Sequence, residues 1–336
     1  MGFPVGSIWK RWLAGRPVAV VALVAGLWAA MGALPAQAAG LKLGLAPFPS
    51  MGLAHVAVAR NYFEQQGLKD FEVVPCVNGG ECLDRLERGE FDLTLASDIA
   101  ITLATQQGRQ MEVIATVAQS RRSNQFIARK LPGLNTPADL RGRRIGYIKG
   151  TSSHYFVEAF LSFHGISAND VTLVELQQQR AAEQLVNGEV DAAALFQPQA
   201  PRAIQALGST GQVFEVPGLY TVTVNVVGHP GIADGELQSV IRALEQAEKF
   251  ILSQPAEAAR LLAPRLNLSQ EAVVAALADF DFRIGFEQSL LIALESQARW
   301  ARRSALVPVS SRVDYLSLMR VGPMKQVAPR RVTLIR

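Results

Sequence analysis

The stretch RIGYIKGTSSHY, residues 144–155, holds the residue types best placed to do chemistry. A β-rich run ends at Gly150-Thr151 and a helix opens at Ser152-Ser153. A helix start presents backbone N–H groups that the helix itself cannot pair, and the macrodipole adds partial positive charge there, so the junction suits an anion. Thr and Ser also cap helices that bind nothing, and the fragment alone does not separate the two roles. Ser97-Asp98 forms a second strand-to-helix junction, where hydroxyl and carboxylate are either caps or contacts. A carboxylate in a cleft disfavours a simple inorganic anion and suits a ligand with a cationic or hydrogen-bond-donating group. His154 and Tyr155 fall in the first turn after the serines, and Phe48, Phe196 and Tyr220 are aromatic walls for an organic ligand.

Nucleophilic catalysis finds no motif: Gly-x-Ser-x-Gly, His-Glu-x-x-His, a Walker loop and Gly-x-Gly-x-x-Gly are all absent from the sequence. Ser152 and Ser153 adjoin His154, but neighbours on a helix diverge by about 100°, so adjacency does not aim imidazole at hydroxyl. No catalytic residue, metal site or cofactor is therefore expected. Cys76 and Cys82 enclose Val77-Asn78-Gly79-Gly80-Glu81. In an oxidising compartment such a pair suggests a disulfide, with two reduced thiols as the alternative. A metal is disfavoured because no His lies near in sequence.

The elements that must position these residues are set out from the N-terminus onward. Residues 1–38 carry Lys10, Arg11 and Arg16 without an acid, an apolar run from Val18 to Leu34, and the small-residue site Ala36-Gln37-Ala38. That pattern reads as a cleavable secretory signal, with an uncleaved anchor as the competing reading. Its removal takes three of the 33 Lys and Arg and none of the 29 Asp and Glu, leaving a formal net charge of +1. Nothing then points to nucleic acid. The chain beyond the signal is long enough for two lobes.

Strand Leu41–Ala46, a Pro-rich loop and a helix ending near Gly67 open a βαβαβα series that implies parallel strands under helices. A second alternating series starts after Thr136-Pro137, with strands Arg144–Ile148, Val171–Glu175 and Val190–Phe196. Leu86-Glu87-Arg88-Gly89-Glu90-Phe91-Asp92 echoes Leu185-Val186-Asn187-Gly188-Glu189-Val190-Asp191, one helix–Gly–strand unit per series. The expected division is a first lobe over 39–128, a second over 129–215, a return to the first over 216–303, and a tail over 304–336 packing on the lobes.

The echoing units belong to a wider likeness. Asn61-Tyr62-Phe63-Glu64-Gln65-Gln66-Gly67-Leu68, Gly79-Gly80, Leu140-Arg141-Gly142-Arg143-Arg144-Ile145-Gly146, Gly150-Thr151, Leu161 with Gly165-Ile166, Asp191-Ala192-Ala193 with Pro198, and Val327-Ala328-Pro329 with Val332–Ile335 occur in order. Together they resemble the nitrate/sulfonate/taurine class of periplasmic solute-binding proteins, which also includes binders of thiamine-pyrimidine precursors. The resemblance covers residues 41–336. It implies an α/β fold of two lobes, a type II-like Venus flytrap clamp whose lobes are mostly parallel sheets flanked by helices and close by a hinge.

Ligands of open α/β sheets sit beyond the carboxyl ends of strands. The loops to inspect are thus Pro47–Gly52, Asn78–Glu81, Ser97-Asp98, Gly150–Tyr155 and Phe196–Pro198. The candidate contacts are Phe48, Ser50, Met51, Gly79, Ser97, Asp98, Gly150, Thr151, Ser152, Ser153, His154, Phe196, Gln197 and Tyr220. The implied function is a periplasmic, monomeric, non-enzymatic component that captures a small organic anion or zwitterion and delivers it to the inner-membrane permease and ATPase of an ABC importer. A pyrimidine-precursor binder, or a synthase-like enzyme using pyridoxal phosphate with a Lys and a His, is an alternative. Lys149 and His55 would then be the candidates, although that enzyme's Cys-rich motif is absent. A sensory ligand-binding module is a third reading.

Overall fold

Among the described residues, eleven strands build two sheets of one design: β1 (Lys42–Leu45), β2 (Glu72–Pro75), β3 (Leu93–Ser97), β4 (Glu112–Ser120), β5 (Asn124–Arg129), β6 (Arg144–Tyr147), β7 (Thr172–Glu175), β8 (Ala192–Phe196), β9 (Gly211–Phe214), β10 (Val222–Gly228) and β11 (Asp281–Gly285). The structure is a computed structural model, and it describes Met1 and residues 40–216 and 218–335. The export signal read from the sequence, with its Ala36-Gln37-Ala38 site, falls on residues 2–38 and lies outside them. Both sheets belong to one compact unit spanning Gly40–Arg336.

The first sheet runs β11-β4-β10-β3-β1-β2 and the second β7-β6-β8-β5-β9. In the first, β1 is parallel to β2 and β3, while β10 is antiparallel to β3 and β4. In the second, β6 is parallel to β7 and β8, while β5 is antiparallel to β8 and β9. Apart from the edge strand β11, both sheets have the same order, with one reversed strand in the same place. The chain crosses to the second sheet between Ser120 and Asn124 and returns between Phe214 and Val222. The boundary expected from sequence keeps Gln125–Ala128 in the first lobe; in the structure β5 lies wholly in the second sheet. Phe126 is fully buried there and stacks on Phe160, centroids 3.9 Å apart. Strand pattern alone does not say which sheet a strand joins.

The echoed units do identical work in each sheet. Asp92 Oδ2 accepts the Lys42 N–H at 2.8 Å and Asp191 Oδ2 accepts the Arg144 N–H at 2.9 Å, so each carboxylate pins the start of its lobe's leading strand. Gly44 and Gly146 occupy equivalent positions on β1 and β6. A Cβ on Gly44 would lie 2.3 Å from the Phe91 ring, and one on Gly146 2.6 Å from Leu176, so only glycine permits the close approach.

Central strand β10 is buried along its whole length. Its one amide side chain, Asn225, is satisfied by Thr116, whose hydroxyl donates at 2.7 Å, and by Thr223. The tail packs on the first lobe. Arg320 reaches Glu112 and Asp234, and Arg331 Nη1 donates to Glu248 Oε2 at 2.5 Å. No helix of the described residues is long and apolar enough to cross a membrane.

The lobes meet along a seam where helix Ser152–Phe163 of the second packs against helix Asp98–Gln106 of the first, and its His154 and Glu158 reach Trp300 of helix Gln288–Arg303. Ile99, Ala301 and Val307 are buried there with Trp300. Glu158 accepts the Trp300 Nε1–H at 2.9 Å and the Ser304 hydroxyl at 2.8 Å.

Candidate functional site

Strands β1, β2, β3, β6 and β8 each end at a loop that turns into a helix, and these loops converge on one cavity of about 250 Å³ between the lobes. From the first lobe come Phe48–Met51, Asn78–Gly80, Ser97 and Ala100. From the second come Ile148–Ser152, Gln178, Phe196 and Gln197, and Ser123, Val222, Val224 and Phe280 complete the wall. Helices Gly79–Glu87, Asp98–Gln106, Ser152–Phe163 and Gln199–Leu207 therefore begin at its rim. Each start leaves first-turn N–H groups outside the helix ladder. Lys149 is the one charged side chain among the described lining residues, and it is exposed, with Glu175 3.9 Å away. The site thus joins several positive dipole ends to apolar walls and, among the described residues, has no carboxylate in its lining. Such an arrangement holds an anionic head and shelters a small organic body.

Of the sequence candidates, Phe48, Ser50, Met51, Gly79, Ser97, Gly150, Thr151, Ser152, Phe196 and Gln197 line this cavity; Asp98, Ser153, His154 and Tyr220 do not. The hydroxyls within Thr151–Ser153 divide by hydrogen bonding. Thr151 Oγ1 donates to Ile148 O at 2.7 Å and accepts the Ser153 N–H, so its side chain shapes the loop. Ser153 Oγ accepts the Ile148 N–H at 2.9 Å and donates to Ala194 O at 2.7 Å, tying β6 to β8. Ser152 lines the cavity, and its hydroxyl makes no hydrogen bond to another of the described residues. Ser97 caps its helix, its Oγ accepting the Ala100 N–H at 3.4 Å, and it also lines the wall.

Asp98 is not among the residues that line the cavity. Its carboxylate is fully buried beneath the helix start, where Oδ1 accepts the Tyr220 hydroxyl at 2.6 Å and the Ile99 N–H, and Oδ2 accepts Gln297 Nε2 at 2.7 Å. Burial pushes the carboxyl up to about 6 against these hydrogen bonds, and burial beside Asp98 raises the Tyr220 phenol well above its usual range. The pair ties the returning chain to the first lobe. With Asp98 turned away from the cavity, its charge is no bar to an inorganic anion there.

His154 lies in the seam, stacked on Tyr147 at 4.4 Å and edge-on to Trp300 at 5.3 Å, with Nε2 3.4 Å from Glu158. Burial raises the Glu158 pKa, and hydrogen bonds from His154, Ser304 and Trp300 more than reverse it. His55 is buried below the first-lobe loop, where its Nε2–H donates to Ala46 O at 2.9 Å; burial lowers its pKa to about 4. It does not line the cavity, whereas Lys149 does.

Cys76 and Cys82 are bonded to each other, as the spacing suggests. They form, with Glu81, the cluster of metal-type donors among the described residues, but the sulfurs are spent on the bridge. Inside the bridged loop Glu81 Oε2 accepts the Val77 N–H at 2.9 Å and Asn78 Oδ1 accepts the Glu81 N–H at 3.0 Å. Asn78, Gln178, Ser123 and Phe280 are cavity residues absent from the candidates read in sequence. Asn78 had a signal, a helix N-cap position in an inspected loop; Gln178 and Phe280 had none.

A model of the family described as NMT1/THI5 like matches residues 49–258. An Escherichia coli (strain K12) protein named for binding aliphatic sulfonates is 23% identical over 203 residues, 59% of this chain and 63% of that protein. The taurine-binding periplasmic protein of the same organism is 25% identical over 187 residues, 56% of this chain and 57% of that protein. The chain thus spans less than two thirds of these relatives' length. The crystal structure of the periplasmic aliphatic sulphonate binding protein from Escherichia coli superposes with a TM-score of 0.73 at 19% identity, over 84% of this chain and 97% of that one. At that identity the likeness shows the fold, a two-lobed one.

Proposed function

The chain belongs to the NMT1/THI5-like family, and from that membership we propose that it is a periplasmic solute-binding protein that closes on a small organic anion or zwitterion of the sulfonate and taurine kind. It hands the ligand to the membrane permease and ATPase of an ABC importer. The relatives' names support the class of ligand and the compartment. The observation that carries the reading is the convergence of helix starts from both lobes on a cavity lined by Ser97, Ser152, Gly79-Gly80 and three phenylalanines, with Lys149 as the one charge among the described lining residues. An anionic head bridging the lobes through these N–H groups and hydroxyls would favour the closed clamp over the open one, which is what a ligand must do to shift such an equilibrium.

Calorimetry with taurine and ethanesulfonate tests the reading. Ser152→Ala is expected to weaken binding by roughly tenfold, the scale of one hydrogen bond to a charged group. Asp98→Asn should leave the affinity of the folded protein within about threefold, since its carboxylate is turned away from the cavity. No binding of either sulfonate, or unchanged affinity in Ser152→Ala, would overturn it.

A further inference from the structure

The cavity is crossed by a contact that links matching loops of the two lobes. Asn78 follows β2 and Gln178 follows β7, so they hold equivalent places in the two sheets. Asn78 Nδ2 donates to Gln178 Oε1 at 3.3 Å across the gap between lobes. Both side chains are half-buried at the wall of the cavity. A second contact, Gln197 Nε2 to Asp279 Oδ2 at 2.8 Å, also joins the lobes, but Asp279 is paired with Arg122 on the crossover, which places it at the hinge. The Asn78–Gln178 bond lies on the loops away from the crossover, where opening must separate them.

The Cys76–Cys82 bridge closes the loop, both its residues are buried, and Glu81 and the Asn78 Oδ1 cap tie the backbone inside it. With Oδ1 committed to the Glu81 N–H, the amide nitrogen is left pointing across to Gln178. A neutral hydrogen bond contributes more when its donor is already oriented, because less side-chain freedom is lost on forming it.

We propose that the bridged loop and Gln178 are the two jaws of a clasp over the cavity, and that Cys76, Cys82 and Gln178 are positioning residues that set how long a ligand stays bound. This role rests on the cleft being the ligand site. Since the bond forms as the lobes approach, its loss should speed ligand release and leave ligand entry nearly unchanged.

The test measures release and uptake of radiolabelled taurine by rapid filtration. Gln178→Met, which keeps the length but removes the acceptor, should raise the release rate by about threefold to tenfold, the range of one neutral hydrogen bond, with uptake altered less than about twofold. Cys76→Ser with Cys82→Ser should raise release similarly, and adding Gln178→Met to that pair should raise it no further. Equal release in wild type and Gln178→Met, or strictly multiplicative effects of bridge and glutamine, would overturn the clasp. A ligand-free arm separates this from failure of the cleft reading. Spin labels at Glu64→Cys and Ser162→Cys, exposed sites on opposite lobes, should show a longer mean distance in Gln178→Met than in the parent. If wild type binds no taurine, the cleft reading falls, and an unchanged label distance then overturns the clasp as well.

Discussion

In the first lobe the loop ahead of helix Gly79–Glu87 is closed by a covalent bridge; in the second, the matching loop ahead of helix Ala181–Val186 is held by amide side chains. Gln184 Oε1 accepts the Gln177 N–H at 2.9 Å, its Nε2 donates to Glu189 at 2.8 Å, and Gln199 Nε2 donates to Gln179 O at 3.2 Å. Each such bond contributes about 1 kcal/mol and can be exchanged for water. The disulfide cannot be exchanged for water in this way. Two sheets of one topology thus carry one loop closed covalently and one held by amide hydrogen bonds, and symmetry of strand order does not impose symmetry of bonding.

The pinning carboxylates repeat the contrast in another form. Asp92 makes one backbone contact with Lys42, whereas Asp191 accepts from the Arg144 backbone and also takes its guanidinium at 2.8 Å. Burial raises the Asp191 pKa, but the Arg144 hydrogen bonds and charge outweigh it and hold the carboxyl below its ordinary range.

Acid titration should give the largest separation between groups that look alike only in being buried. His55, in the first lobe, has its pKa lowered from 6.5 to about 4 by burial. As pH falls from 6.5 to 4 the unfolded chain takes a proton that the fold refuses, so about 3 kcal/mol of stability is lost across that window. Asp98 runs the other way: raised from 3.8 to about 6, it costs about 3 kcal/mol as pH rises through that interval. In urea melts His55→Gln should therefore gain on wild type as pH falls from 6.5 to about 4, and Asp98→Asn should gain as pH rises from 3.8 to about 6. Slopes of the same sign in the two variants would break the assignment. Asp191 contributes stability above the ordinary carboxylate range that is lost as pH falls below it.

A smaller effect compares the pins themselves. Asp191→Ala should cost about 2 kcal/mol and Asp92→Ala about 1 kcal/mol, since only the former also loses a charge-assisted hydrogen bond to a guanidinium. Equal losses by chemical denaturation would show that the guanidinium adds nothing. Effects of comparable size concern the two matching loops. Replacing Cys76 and Cys82 by serine should lower stability by ~2 kcal/mol, the chain-entropy value for so short a loop. Gln184→Ala in the opposite jaw should lower it by ~1 kcal/mol. A larger loss from Gln184→Ala than from the bridge would show the amide-held loop to be the more firmly held of the two.

The repeated order of strand, helix and glycine was legible in sequence because apolar periodicity and helix-ending glycines are local signals, and so was the cysteine pair. The loops around the cavity were legible for the same reason, since they depend on where strands end. Which side chain in a loop turns inward was not. Ser152 and Ser153 are adjacent, yet about 100° of helix rotation sends one to the cavity and the other to β8. Asp98 shares its junction with Ser97, but its partners Tyr220 and Gln297 stand far along the chain. Gln178 and Phe280 carry no local mark at all, because their place at the cavity comes only from how the two lobes meet.

Trp300, packed in the seam against His154, Tyr155 and Glu158, has a consequence for observing the molecule. The other three tryptophans, Trp9, Trp12 and Trp28, all precede Ala38. A chain lacking residues 1–38 therefore holds a single indole, placed on the first lobe with its ring and N–H against the second. Its emission maximum and quenching report the seam alone, and a shift to longer wavelength on opening would make the unlabelled protein its own optical gauge of lobe movement.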